Sequence, residues 1–215
     1  MAVEIKFGDH IKESLEICKA NLVPTLLTPL IAAIAGIVVM LPAIIVQMVV
    51  DPTIGSLLSI PLNIVAAGVN GIFMINFMAA VKAAKHEGKA IAIGDILNFE
   101  NAAGKALTQI GVTIGFIFCC IPGVILFFAP AIVADKPGTS PAQALKAALA
   151  FGKGNIVPML ILLIVFIVLV IVGQLACGVG VLFTLPLAQG MVFLAYDAHK
   201  ASVEAAAAEG GVQLG

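Results

Sequence analysis

Ser56, Asn63 and Asn70 recur at intervals of seven residues, so on a helix the three share one face. They stand in a run, residues 52–81, that holds no Asp, Glu, Lys, Arg or His. An amide in hydrocarbon needs a partner, and hydrogen bonds between helices there contribute about 0.6–2 kcal/mol. The stripe therefore points to glue between helices or between subunits. The alternative is a polar path for a small neutral solute or lipid along the Asn63 and Asn70 face. No buried acid or base accompanies the stripe, which argues against a proton-coupled carrier. Gln174 and Gln189 lie in the last apolar run and are expected to be satisfied by neighbouring helices or by water. Gly68, Gly71, Gly173 and Gly190 permit close backbone approach.

Other chemistry is sparse. His10, His86 and His199 all lie outside the apolar runs, so no intramembrane histidine is available to ligate a haem. Cys18, Cys119, Cys120 and Cys177 are too few for a disulfide scaffold, and their spacing fits no metal site. Free thiols are the plainer reading, with a pair between Cys177 and Cys119 or Cys120 the alternative in an oxidising compartment. No phosphate loop, His-Glu-x-x-His motif or Gly-x-Ser-x-Gly elbow is present. No catalytic, cofactor-binding or metal-ligating residue is assigned, and the chain is not expected to be an enzyme.

The elements that carry these residues follow from composition. Of 215 residues, 61% are hydrophobic and 11% charged, with a mean hydropathy of +1.17. A soluble domain carries about 25% charged residues. The charges are segregated: residues 22–50, 52–81, 106–134 and 154–196 contain none, and no histidine. A span takes roughly 20 apolar residues, so the chain reads as an all-α, polytopic integral membrane protein. Its net charge of −1, its lack of Arg and its single Tyr without Trp argue against nucleic-acid binding. The first apolar run begins only at Leu22 after a segment of mixed charge, so residues 1–21 are expected to be retained rather than cleaved as a signal peptide.

The lysines set the expected topology. They fall at 6, 12 and 19, at 82, 85, 89 and 105, at 136, 146 and 153, and at 200. The positive-inside rule puts these segments and both termini in the cytoplasm, with Asp51 outside. Each apolar block then crosses an even number of times, which predicts six membrane helices as three hairpins. The first hairpin turns at Asp51-Pro52. The last block, 43 residues long, turns at Gly178 and Gly180. The middle block is either a single span or a short hairpin broken at Pro122-Gly123, and the breaker pair favours the hairpin.

A short amphipathic helix is expected before each hairpin, on the cytoplasmic side. Asp9 is a candidate N-cap for the first, whose apolar face would be Ile11, Leu15, Cys18 and Leu22. Asp95 is a candidate cap for the second, running toward Gly104. Ser140-Pro141-Ala142-Gln143 has the form of a capping box and starts the third, ending near Gly152. Such helices suit the membrane interface, or else extend the spans and pack on one another. Asp135 and Asp197, just past apolar runs, are expected to be solvated at the cytoplasmic boundary. A weak repeat links residues 15–26 and 149–160, with Lys-x-Asn-x-Val-Pro in both. Three regions result: an N-terminal amphipathic segment 1–21, a membrane domain 22–197, and an Ala-rich tail 198–215 expected to be partly disordered.

The stretch 119–160 contains Cys-Cys-Ile-Pro-Gly-Val-Ile-Leu, Ala-Pro-Ala-Ile-Val-Ala-Asp, Ser-Pro-Ala-Gln-Ala-Leu-Lys and Gly-Lys-Gly-Asn. With Gly178-Val179-Gly180 and Thr184-Leu185-Pro186 it resembles the YciC-like bacterial membrane proteins and the membrane domain of some glycerophosphodiester phosphodiesterases. That resemblance implies six helices and carries no catalytic residues. The expected role is a self-assembling structural or scaffold component, or a subunit of a membrane complex. It would sit in the bacterial inner membrane, with membrane shaping a natural extension. Lipid and further copies of the chain are the expected partners, and no cofactor is expected.

Overall fold

The computed structural model describes residues 4–118, 120–176 and 179–215. Among these the chain is helical throughout, with no strand. In order the helices are α1 (Phe7–Ala20), α2 (Leu22–Val49), α3 (Pro52–Glu87), α4 (Ile93–Ile96), α5 (Ala102–Phe118) and α6 (Cys120–Ile125). They continue as α7 (Ala129–Asp135), α8 (Pro141–Gly154), α9 (Ile156–Leu175), α10 (Val181–Ala198) and α11 (Lys200–Glu209). Four of them, α2, α3, α9 and α10, are long and apolar enough to cross a membrane.

Local chemistry explains the boundaries. Asp51 takes an extended backbone and caps α3, its carboxylate accepting from the Thr53 and Ile54 N–H groups at 2.7 and 3.0 Å. Pro52 follows at the first helical position, where its missing N–H costs nothing. The helix ends at Gly88, whose φ of 64° suits glycine. The two copies of Lys-x-Asn-x-Val-Pro fold alike. Asn21 (φ −123°, ψ 46°) separates α1 from α2, and Asn155 (φ −133°, ψ 33°) separates α8 from α9. Each amide donates back to the carbonyl four residues earlier, Asn21 to Ile17 at 2.9 Å and Asn155 to Phe151 at 3.0 Å. Each pair of helices is thus joined by one non-helical residue.

The capping box forms: Gln143 N–H donates to Ser140 Oγ at 3.3 Å, and Ser140 N–H to Gln143 Oε1 at 2.9 Å. The resulting α8 packs on α5, α6, α7 and α11. The other two expected caps are corrected. α1 starts two residues before Asp9, with Lys6 in the cap position and no side-chain cap bond. Its most buried residues are His10, Ser14 and Cys18, because this face meets α10, where Ser14 Oγ donates to the Leu187 carbonyl at 2.8 Å. Asp95 lies inside the four-residue α4 rather than before a longer helix. Its carboxylate turns back to the Ala92 N–H at 2.9 Å and to Lys89 at 3.3 Å. Asn101, at φ 51°, then breaks the chain before α5.

The core gathers on α10 and the inner part of α3. Residues 186–196 of α10 are buried without a break, and α10 touches α1, α2, α3 and α9. The most apolar helix, α9, is among the least buried, and Ile, Leu and Val side chains stand exposed along it and along α2. A water-soluble fold places such residues inside, whereas this arrangement suits a hydrocarbon solvent. Between α5 and α6 the chain doubles back: a Cβ at Gly115 would lie 3.2 Å from the Gly123 nitrogen. Pro122 and Gly123 therefore stand within α6, in the returning limb. Cys119, Cys177 and Gly178 lie outside the described residues, and with them the Cys177 pairing. Gly180 occupies the cap position of α10.

Candidate functional site within the apolar section

The seven-residue stripe on α3 passes through two environments. Ser56 and Asn63 are exposed, and each bonds only to its own helix, Ser56 Oγ to the Pro52 carbonyl at 2.7 Å and Asn63 Nδ2 to the Ser59 carbonyl at 2.8 Å. Two turns further on, Asn70 is covered by α2. Gly36 makes room for it, since a Cβ there would come within 3.3 Å of Asn70 Oδ1. That oxygen is buried and has no hydrogen-bond partner among the described residues.

Asn70 opens instead onto a cavity of about 180 Å³ between α2, α3 and α10. Thr28, Pro29 and Ala32 line it from α2, Asn70 and Met74 from α3, and Leu185, Pro186 and Gln189 from α10. Thr28 is satisfied by the Pro24 carbonyl at 2.8 Å. Gln189 is not: it is 1% exposed and its Oε1 has no partner. Of the two expected sources of partners for Gln189, neighbouring helices or water, the described helices supply none to that oxygen. A second cavity, of about 220 Å³, shares Met74 as a wall and is lined by Met78, Phe116, Phe127, Phe166 and Gln109 among others. Gln109 Oε1 is a third buried acceptor without a partner, and its side chain packs on Gly71, where any Cβ would collide with it. Gly68 receives Ile110 and Gly190 receives Ser14 in the same manner.

At the far end of α3 the charges gather in separate ion-paired groups. Asp135, expected at a solvated boundary, is buried and paired with Lys82 at 2.8 Å and Lys200 at 2.7 Å, and the Tyr196 hydroxyl donates to it at 3.1 Å. Burial alone would raise this carboxyl. The hydrogen bonds from Lys200 and Lys82 outweigh it and hold the group below the usual carboxylate range. Asp197 binds Lys85 at 3.1 Å and His86 at 3.0 Å, and Lys85 also reaches Glu13. Lys136 pairs with Glu204 at 2.7 Å. Nearby, Asn76 donates to the Ile96 and Asn98 carbonyls, both at 2.7 Å, and accepts from buried Lys105 at 2.7 Å. Burial pushes the Lys105 ammonium below its ordinary value, with Glu100 opposing. His10 is likewise lowered by burial.

Sequence reasoning singled out Ser56, Asn63 and Asn70 by their spacing and missed Gln109 and the burial of Asp135 and Lys105. Gln109 carries a signal of its own, as a lone amide four residues inside the third apolar run. No family model matches this chain, and neither a curated protein nor a solved structure matches it.

Proposed function

We propose that this chain is a non-enzymatic structural protein of the bacterial inner membrane that assembles with further copies of itself. The observation that carries the reading is Asn63. It stands eleven residues into an apolar helix, on an open face, with its amide turned back only to its own helix. Facing lipid, such an amide lacks partners that a second copy supplies. Two copies related by a two-fold axis bring Asn63 to Asn63 on one self-complementary surface, with the exposed apolar residues Leu57 and Ile60 beside it.

The lysine distribution supports six membrane helices as three hairpins, with both termini cytoplasmic. In that arrangement α5 reaches about 25 Å at 1.5 Å per residue and the chain returns through α6 and α7, residues 120–135, so both limbs fall short of the roughly 30 Å hydrocarbon core. A hairpin of that depth occupies one leaflet more than the other, which supports a role in shaping curved membrane. The resemblance to YciC-like proteins agrees with six helices. A facilitator using Asn63 and Asn70 as one lining has less support, because the stripe leaves the packed region before it reaches Asn63.

Native mass spectrometry from mild detergent and from lipid discs tests the proposal. Asn63→Leu is expected to shift the population from oligomer to monomer, and Asn70→Leu to leave assembly unchanged. A wild-type particle that is strictly one chain in both media overturns the scaffold reading. Full assembly of Asn63→Leu overturns the assigned interface.

A further inference from the structure

We infer that the paired cavities around Met74 bind an uncharged amphiphile that carries a hydroxyl group. The hydroxyl meets Asn70 and Gln189, and the hydrocarbon chain runs past Met74 among Met78, Phe116, Phe127 and Phe166. This site is separate from the Asn63 surface and does not depend on assembly.

Four observations converge. First, Asn70 and Gln189 approach one cavity from α3 and α10, and each has a buried carbonyl oxygen without a partner. A buried acceptor left unmet is destabilising, so two lining one cavity call for a donor. Second, neither cavity is lined by any Asp, Glu, Lys, Arg or His. A charged ligand would enter with no counter-charge, at a desolvation cost that excludes it. Third, apart from Gln109 the neighbouring cavity is walled by methionine, phenylalanine, leucine, isoleucine, valine and proline. Apolar cavities of this kind stay dry and accept hydrocarbon. Water alone could bridge the amides, but it leaves this second space unused. Fourth, the wall between the two is Met74, a flexible thioether that gives way without loss of a polar contact. Residues 70, 74 and 78 follow at intervals of four on α3, so the polar end, the gate and the apolar end lie along a single helix face. Pro29 and Pro186, which line the polar cavity from α2 and α10, each prevent a regular helix turn from closing there.

Photolabelling of the full chain in lipid discs tests the site. The probe is 1-dodecanol with a diazirine near its methyl end, and the control is the diazirine-bearing dodecane of the same length. The alcohol is expected to label peptides containing Met78, Phe116, Phe127 or Phe166 saturably, with competition by a monoacylglycerol. The alkane should label them at background. Asn70→Leu combined with Gln189→Leu should reduce alcohol labelling by about tenfold, the factor for roughly 1.4 kcal/mol of lost hydrogen bonding. Met74→Trp, which fills the passage and spares both amides, should abolish labelling of the Phe-bearing peptides and keeps the test decisive if the double variant fails to fold. Equal labelling by alcohol and alkane, or labelling that survives Met74→Trp, overturns the inference.

Discussion

Asp135 is the buried carboxylate of the charge arrangement, with two lysines and a tyrosine hydroxyl around it. A carboxylate taken out of water is tolerated only when paired and hydrogen-bonded, and here Lys82, Lys200 and Tyr196 all address it. Asp135→Asn keeps the shape and removes the charge. It is expected to lower stability at pH 7 by about 3 kcal/mol, the low end for breaking a buried pair, because both lysines can still reach water. Since the folded protein holds this carboxyl below its ordinary value, its contribution is complete above about pH 4, the unfolded value for aspartate. It is lost as pH falls further through the folded value. Thermal unfolding in mild detergent should show the wild type converging on the variant as the medium is acidified below pH 4. Equal melting of the two at pH 7 contradicts the assignment.

Among the elements, α8 depends most visibly on local sequence. Its capping box satisfies two groups that would otherwise be left open at the helix start. Ser140→Ala with Gln143→Ala should cost about 1 kcal/mol and speed amide exchange across residues 142–145, while the bundle stays folded. Unchanged exchange there means tertiary packing alone holds the first turn. Elements set by neighbouring residues were legible in the sequence: the capping box, the Asp51-Pro52 turn, and the Asn21 and Asn155 junctions all rest on bonds that span two to four residues. Elements set by distant partners were not. The face of α1 reads as Ile11, Leu15 and Cys18, yet His10 and Ser14 are buried because α10 offers Ser14 a carbonyl 173 positions away. Asp95 has the composition of a cap, but Lys89 and the Ala92 N–H claim its carboxylate. The amide stripe was visible as a spacing. Its division at Asn70 was not, because Gly36 and Gln189 bring the covering helices from other parts of the chain.

For the whole molecule, two ion-paired groups, Lys82–Asp135–Lys200 and Glu13–Lys85–Asp197, mark one end of α3. Asp51 caps the opposite end of α3, about 46 Å from Lys82 at 1.5 Å per residue. The proposed topology puts the first end in the cytoplasm. In a cysteine-free background, single cysteines at positions 85 and 146 are expected to react with an impermeant maleimide from the same side in sealed vesicles, and one at position 52 from the other. Reaction of 85 and 146 from opposite sides makes residues 106–134 a single span and removes the shallow hairpin, and with it the argument for unequal leaflets.

The three partners of Asp135 also impose an order in time. Lys82 leaves the ribosome before Asp135, but Tyr196 follows it by 61 residues, and Lys200 comes later still. At about 5–20 residues per second, that interval is roughly 3–12 s. During it the growing chain carries a carboxylate with a single counter-ion beside the apolar α7. The inner end of the bundle closes only when the last long helix has been made. A ribosome that stalls within α10 therefore leaves behind a chain whose acidic residue at the end of α7 lacks Lys200, one of its two counter-ions.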